Sequence, residues 1–269
     1  MLKSIALALA TLFVSGCAAV PSVPGAVRAE LAPGGKLRAG MNLSNALFTT
    51  KDPATGELRG VAVDLMRELG TRLGVPVEMV VHATPGDVAD AVGKGTWDVA
   101  VLAIAEERAK TIAFSLPLTE IEATYMVHKD SPLRSATQVD APGIRIAAPE
   151  KAGYELYLTQ TLRHATLLRT KGTPASYDLF NARGAEALAG LKPALLEARA
   201  KLPDARMLEG NFMTVNHGLC VPRERSAAAD YLKAFVAELN ASGFVARSIE
   251  RHGIKGLSAV KFPLSNKEK

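Results

Sequence analysis

The sequence predicts an α/β protein of two lobes, joined by a two-segment hinge, with a ligand cleft between the lobes. Two observations lead to this prediction. A strand–helix–strand alternation occurs twice along the 269 residues, and an extended segment follows each occurrence. Such alternation is typical of parallel sheets with right-handed helical crossovers, and a chain of this length can form two separate cores.

The first α/β unit begins near residue 35. Its strands are predicted at "KLRAGM", "VPVEMVVH" and "TWDVAVLAI", and the last is apolar enough to be covered on both faces. The helix that follows the first strand has Val63, Met66, Leu69 and Leu73 at helical spacing, and Gly74 ends it. A shorter helix, "PGDVADAVGKG", precedes the third strand.

The second unit repeats this alternation after the extended stretch "TYMVHKDSPL". Its predicted strands are "GIRIAAP", "TLLRT", "EALAGL" and "RMLEG", and its predicted helices are "AGYELYLTQTL", "PASYDLFNARG" and "PALLEARAKL". A second extended stretch, "TVNHGLCVP", leads to two final helices. Ligands of open parallel sheets lie beyond the carboxyl ends of the strands, so Asn42, Ser44, Asn45 and Arg108 are site candidates.

An export signal and a lipid-attachment cysteine are predicted at the start of the chain. Lys3 precedes the apolar run "IALALATLFV", which is too short to span a bilayer, and "VSGC" ends at Cys17. We expect lipidation at Cys17, with ordinary signal cleavage slightly downstream as the alternative. Cys220 lies in an apolar, strand-like run and is expected to be a buried thiol.

Composition and spacing argue against several function classes. The net charge of +5 is spread along the chain without a dense basic block, so we expect no nucleic-acid partner. The five histidines lack metal-ligand spacing, so no metal is expected. No cofactor is expected either, because the sequence shows no phosphate loop or dinucleotide fingerprint.

Several stretches together resemble the extracellular solute-binding proteins of family 3, the amino-acid-type receptors of ABC importers. They include "GELRGVAVDLMRELGTRLGV", "GKGTWDVAVLAIAEERAKTIAFSLPL" and "YLKAFVAELNASGFVARSIERHG". The resemblance covers nearly all of the mature chain. It implies the two-lobed, type II periplasmic-binding-protein fold, whose second lobe is inserted into the first and whose lobes close on a small ligand. It also makes Asp64 and Asp98 structural residues.

With this resemblance, the chain divides into six segments. They are a lipoprotein signal peptide (1–16), a flexible tether (17–34), the first part of lobe 1 (35–126), the inserted lobe 2 (127–215), the C-terminal part of lobe 1 (216–262) and a polar tail (263–269).

Arg108 is the central site candidate. The residues alone favour a solvated helix arginine paired with Glu106 or Glu107. The resemblance instead assigns Arg108 to the carboxylate of the ligand, and a guanidinium offers the two parallel donors that a carboxylate accepts. It also brings the start of a lobe 2 helix, at Gly153 and Tyr154, to the ligand, where backbone N–H groups can receive an anion.

The sequence departs from the family pattern at three places. Hydroxyl residues before the arginine are missing, with Ala103 at one of these positions, and Asn45 and Pro85 stand where aromatic residues are usual. The acidic partner of a ligand ammonium is missing near Leu191, and Lys192 follows it.

The missing acid decides the expected ligand. Burying an ammonium without a counter-charge is costly, so we expect a small organic acid or a zwitterion held in another orientation. Lys192 could strengthen an anion site, or could be a surface lysine. Glu150 or Glu186 could still supply a carboxylate from elsewhere. His217, in the returning hinge segment, is either a ligand contact or structural.

Three functions are open at this level. The favoured one is a monomeric receptor, lipid-anchored to the membrane in the periplasm, that hands a small carboxylate-bearing solute to an ABC permease. A stand-alone periplasmic sensor is the second. A dehydratase-like enzyme with Glu150 as general acid is the third, and we expect the protein not to be an enzyme.

Overall fold

A computed structural model describes residues 23–261. Its helices are α1 (Gly25–Leu31), α2 (Val61–Leu73), α3 (Pro85–Asp90), α4 (Glu106–Ala109), α5 (Gly153–Thr161), α6 (Gly172–Asn181), α7 (Lys192–Ala198), α8 (Ser226–Ala241) and α9 (Phe244–Arg251). Its strands are β1 (Leu37–Asn42), β2 (Thr50–Lys51), β3 (Leu58–Arg59), β4 (Val77–His82), β5 (Val99–Ala103), β6 (Ile112–Phe114), β7 (Thr119–His128), β8 (Arg145–Pro149), β9 (Thr166–Thr170), β10 (Ala187–Leu191), β11 (Ala205–Met207), β12 (Met213–Pro222) and β13 (Ser258–Ala259). The predicted alternation of strands and helices is confirmed in both units.

The main sheet contains two parallel halves. Its strands follow the order β4-β1-β5-β12-β7-β10-β8-β9. β4, β1 and β5 are parallel to one another, and so are β10, β8 and β9. Between the halves, β12 runs antiparallel to both β5 and β7, and β7 runs antiparallel to β10. The predicted α/β class is therefore confirmed.

Two long strands pass from one half of the sheet to the other. The first half of β7 (119–123) pairs with β12, and its second half pairs with β10. β12 likewise pairs with β7 through residues 213–217 and with β5 through residues 217–220. These are the two extended segments that the sequence predicts, and they lie side by side as the connection between the two parallel halves.

The apolar stripe of α2 covers the first parallel half. Val63, Met66, Leu69 and Leu73 are all buried, as their spacing predicts. Gly74 ends the helix in the left-handed conformation at φ 65°, which glycine adopts without the steric cost of a β-carbon.

The expected tether of residues 17–34 is wrong at its carboxyl end. Residues 25–31 form α1, which packs against α8 and buries Val27 and Leu31. Glu30 on α1 accepts a hydrogen bond from the backbone N–H of Ala228, at the start of α8. This segment therefore belongs to the first lobe. The predicted signal peptide, Cys17 and the tail (263–269) lie outside the described residues, within which no helix is long and apolar enough to cross a membrane.

Asp98 ties three parts of the first lobe together. Its carboxylate is fully buried and accepts hydrogen bonds from Arg38 on β1, at 2.7 and 2.8 Å, and from Arg225 before α8, at 2.9 Å. Burial opposes its ionisation, but the bonds from the two guanidinium groups outweigh burial and hold the pKa of Asp98 below its usual value. The structural role predicted for Asp98 thus has a physical basis.

Asp64 and Cys220 also have buried surroundings. Asp64 accepts hydrogen bonds from Ser248, at 2.6 Å, and from Arg251, at 3.3 Å, which join α2 to α9. Cys220 is fully buried on β12, as predicted, and burial raises the pKa of its thiol to about 12.

We predict that Asp98→Asn lowers the free energy of unfolding by about 3 kcal/mol, because it leaves two partly buried guanidinium groups without their counter-charge. Urea unfolding followed by circular dichroism measures this change. Asp230→Asn is the matched control, since Asp230 is an exposed partner of Lys233 and its loss should cost less than about 0.5 kcal/mol. Equal losses in the two variants would contradict the role of Asp98.

Candidate functional site

A cavity of about 720 Å³ lies at the carboxyl ends of the parallel strands of both halves. From the first half, it is lined by the loop after β1, the end of β5 and Arg108. From the second half, it is lined by the start of α5, by α6 and by the segment from β10 into α7. The cavity therefore occupies the place where open parallel sheets bind ligands.

Most of the predicted site residues line this cavity. They are Asn42, Ser44, Asn45, Ala103, Arg108, Gly153, Tyr154 and His217. Their location makes ligand contact possible, and their roles toward a ligand stay predictions.

Arg108 is a buried cation between the two halves. It is 5% exposed, and its Nη1 donates to the carbonyl of Ala103 at 2.8 Å. Its Nη2 donates to the carbonyl of Lys151, from the second half, at 2.7 Å. Burial lowers the pKa of Arg108 to about 10, so the group is still charged at neutral pH.

No carboxylate forms an ion pair with Arg108 within residues 23–261. Arg108 is therefore not a solvated helix arginine paired with Glu106 or Glu107. Glu107 pairs with Lys110 instead, and the guanidinium of Arg108 lies in the cavity wall. A desolvated cation with only neutral acceptors favours the arrival of an anion.

Lys151 presents the carbonyl that Arg108 uses. It has φ 58°, a left-handed conformation that is unfavourable for a residue with a side chain. Its ammonium pairs with Asp90 at the end of α3, and its aliphatic stem lies over Gly86, where a β-carbon would come within 2.9 Å of Cδ. Lys151 thus holds the second half against the first at two points besides Arg108.

The start of α5 touches the end of β5 directly. A β-carbon on Gly153 would lie 2.4 Å from the β-carbon of Ala103, so no side chain fits at position 153 in this arrangement. The two lobes approach each other closely at this point.

Part of the polar capacity of the loop after β1 is used within the loop. The side-chain oxygen of Asn42 accepts from the backbone N–H and from the hydroxyl of Ser44, both at 3.0 Å. The side-chain oxygen of Asn45 accepts from the N–H of Leu47 at 3.3 Å. These bonds fix the loop shape and leave the side-chain N–H groups of the two asparagines for other partners.

His217 is an uncharged member of the site. It is 6% exposed, and burial, with Arg108 as a further cause, lowers its pKa to about 3. Its ring lies 4.5 Å from that of Phe48, and its Nδ1 has no hydrogen-bond partner among the described residues. Phe48 also lines the cavity and supplies an aromatic wall that the sequence analysis missed. That analysis considered only positions 45 and 85, where Asn45 and Pro85 line the cavity without an aromatic ring.

Lys192 does not line the cavity, contrary to the prediction. Leu191 ends β10 facing the cavity, and the next side chain points to the other side, where Lys192 pairs with Glu122 on β7. Glu186 also lies outside the cavity lining and pairs with Arg145 at 2.7 Å.

Carboxylates reach the cavity only at exposed positions within the part of the chain that the structure describes. They are Glu150, Asp178 and Glu197. The buried wall therefore combines one cation with apolar and uncharged polar groups.

Sequence reasoning also missed the extension of the cavity between α6 and α7. Tyr177 on α6 and Ala194 and Ala198 on α7 line it, with Tyr154 at its inner end. These residues come together because α6 and α7, the helices before and after β10, both pack on that strand.

Comparison with solved structures supports the fold. An arginine-binding protein variant from T. maritima, the P235GK mutant of ArgBP, is 23% identical with a TM-score of 0.70, and the match covers 85% of this chain and 99% of that one. A second structure is AbpA, an amino acid ABC transporter substrate-binding protein from Streptococcus pneumoniae bound to L-arginine. It is 19% identical with a TM-score of 0.70, and the match covers 84% of this chain and 98% of that one.

A third structure is the ancestral amino-acid-binding protein AncCDT-1, a precursor of cyclohexadienyl dehydratase. It is 22% identical with a TM-score of 0.67, and the match covers 82% of this chain and 97% of that one. At these identities the likeness establishes the two-lobed fold alone. Among curated protein sequences, none matches.

The family comparison is specific. The model of the bacterial extracellular solute-binding proteins, family 3, matches residues 37–254, which include both parallel halves, the two crossing strands and the cavity between them. This chain belongs to the bacterial extracellular solute-binding proteins, family 3.

Proposed function

We propose that this protein captures a small solute bearing a carboxylate, closes its two lobes around it and delivers it to the permease of an ABC importer. The observation that supports this most strongly is the buried guanidinium of Arg108, which lines the cavity and has no carboxylate partner in the described residues. The proposal divides the lobes at residues 126/127 and 215/216, within or next to the crossing strands.

A ligand carboxylate can form charge-assisted hydrogen bonds with Arg108 at little further cost of desolvation. The protein has already desolvated the Arg108 cation, and it has oriented two of its N–H groups through carbonyls of opposite lobes. A carboxylate can accept from the remaining N–H groups, and such charge-assisted bonds are stronger than neutral ones. The neutral imidazole of His217 can contribute a hydrogen bond without adding charge.

The ligand that we propose is an organic acid, or a zwitterion held in an orientation different from that of an α-amino acid. At the position where we expect the α-ammonium of an amino-acid ligand, the buried residue is Leu191. An aliphatic side chain cannot balance the positive charge of that group. AbpA was solved with L-arginine bound, and a putative binding component of an ABC transporter from Wolinella succinogenes was solved in complex with lysine. Here the buried wall offers no carboxylate for the ammonium group of such a ligand among the described residues.

Closure is the step that couples binding to delivery. Contacts of Arg108 and Lys151 join the lobes directly, and β7 and β12 are the connections about which the lobes can rotate. A ligand that contacts both lobes stabilises the closed form more than the open one and so shifts the equilibrium between them.

We further propose that the protein acts in the periplasm as a monomer, anchored by lipid on Cys17, and that its role is binding rather than catalysis. A general acid for a dehydratase-like reaction would have to come from the cavity carboxylates, and Glu150 is exposed to solvent. Incubation with candidate acids followed by mass spectrometry tests this, and conversion of any of them would overturn the binding-only role.

We predict that Arg108→Gln reduces affinity for carboxylate ligands about 100-fold, since it removes a charge-assisted, two-pronged contact. Thermal unfolding of the purified protein against a panel of organic acids and L-amino acids measures the effect, because a ligand that binds only the folded state raises the melting temperature.

The ligand-free variant should stay folded, because losing a desolvated cation offsets the loss of two hydrogen bonds. Arg247→Gln, at an exposed arginine outside the cavity lining, is the control. An unchanged ligand response in Arg108→Gln would refute the role of Arg108.

We predict that Leu191→Asp makes L-amino acids effective stabilisers in the same assay, because it places a carboxylate at the cavity wall where an ammonium needs one. Leu191→Asn has a similar shape without the charge and should not gain this response. If wild type already responds to L-amino acids more strongly than to simple acids, an ammonium partner exists elsewhere and the proposed ligand class is wrong.

A further inference from the structure

The cavity continues away from Arg108 as a groove between α6 and α7. Thr173, Tyr177 and Asn181 line it from α6 at four-residue spacing, so they occupy one face of that helix. Ala194, Ala198 and Lys201 line it from α7 and the helical turn after it. Both helices pack on β10, so the groove runs along the surface of the second lobe with that strand as its floor.

The groove has a defined length. Eight residues of α6 separate its first and last lining positions, which corresponds to about 12 Å of helix. At the far end, the side-chain amide of Asn181 donates to the carbonyl of Lys201 at 3.4 Å and closes the gap between the helices. The inner end opens at Tyr154 and Leu191, beside the cleft that contains Arg108.

The part of the groove wall that β10 and α7 form is mainly apolar. Leu191 and Ala198 are buried, and Ala194 presents only a methyl group. Tyr154 is 8% exposed and lines the same cavity at the inner end of the groove. A tyrosine hydroxyl can both donate and accept a hydrogen bond, so Tyr154 can contact a polar atom of a ligand that passes the entrance of the groove.

The volume supports a ligand larger than a simple amino acid. A cavity of about 720 Å³ falls within the range of pockets that hold drug-sized molecules. An α-amino acid at Arg108 would leave the groove between the helices unfilled.

The charged residues at the solvent-exposed edge of the groove affect which charge the far end of a ligand can carry. Asp178 and Glu197 line the cavity at exposed positions without an ion-pair partner in the described segment, and Lys201 is the cation beside them. Two carboxylates against one ammonium disfavour a second carboxylate on the ligand at this end.

We propose that the α6–α7 groove receives the uncharged, mainly apolar body of an elongated monocarboxylate whose carboxylate is held at Arg108. This inference rests on the proposed function, and it adds the size and charge of the solute. Tyr154 orients the body at the groove entrance, and the closed far end sets the longest chain that fits.

Isothermal titration of the purified protein with straight-chain monocarboxylates, from butyrate to decanoate, tests the proposal. Affinity should rise by about fourfold per methylene group while the groove fills, and should stop rising once its far end is reached. The matched dicarboxylates, from succinate to sebacate, should bind more weakly at every length.

A pair of variants on one helix isolates the groove. Ala194→Phe places a ring in it and should weaken the longer acids by about tenfold, and butyrate less than decanoate. Leu196→Phe is the control, because Leu196 is 51% exposed on the same helix and does not line the cavity.

The outcomes separate the two proposals. Arg108-dependent binding that is independent of chain length, or an Ala194→Phe variant that binds decanoate like wild type, overturns the groove and leaves the proposed function standing. Dicarboxylates that bind as tightly as monocarboxylates overturn the proposed ligand charge. If no acid of any length binds, both the function and the groove assignment are wrong.

Discussion

The position of one buried charge organises the cleft. The guanidinium of Arg108 is held by the carbonyl of Ala103 from one lobe and by that of Lys151 from the other, so its location is defined only when the lobes are together. The left-handed backbone at Lys151 is the local strain that accompanies this arrangement. Under the proposed function, a ligand carboxylate supplies the negative charge that Arg108 lacks among the described residues, and it thereby favours the closed arrangement.

The departures from the family pattern are structurally coupled. Ala103 and Gly153 meet at the same point of contact between the lobes, and a side chain at position 153 would clash with Ala103. The aromatic wall of the cavity is formed by Phe48, whose ring is tilted by 36° against the neutral ring of His217. Leu191, at the position of the missing acid, opens onto the apolar groove between α6 and α7. Among the described residues, the buried part of the cavity wall is largely apolar and contains a single cation, Arg108.

The sequence predicted the elements well, because periodic apolar residues and terminal glycines are local signals, as at α2 and Gly74. It also predicted that residues after β1 and β5 line the site, since the carboxyl ends of parallel strands converge. It failed at Lys192, where one step along the chain reverses the direction of the side chain. It missed Lys151, which acts through its backbone carbonyl, and Tyr177, which depends on tertiary packing. Within the assumed tether, the four-residue spacing of Val27 and Leu31 was a usable signal for α1.

The central place of β12 has a consequence for how the chain assembles. Cys220 pairs with Ala100 in register, although all of lobe 2 lies between them in the sequence. The strands β8, β9 and β10 are neighbours both in the sheet and along the chain, so lobe 2 can form from contacts of shorter sequence separation. The first lobe must wait until β12 and α8 emerge, and it then bears the entropy of closing a long loop. The lobe whose chain is synthesised first can thus complete its own sheet only after the whole of lobe 2 has been made.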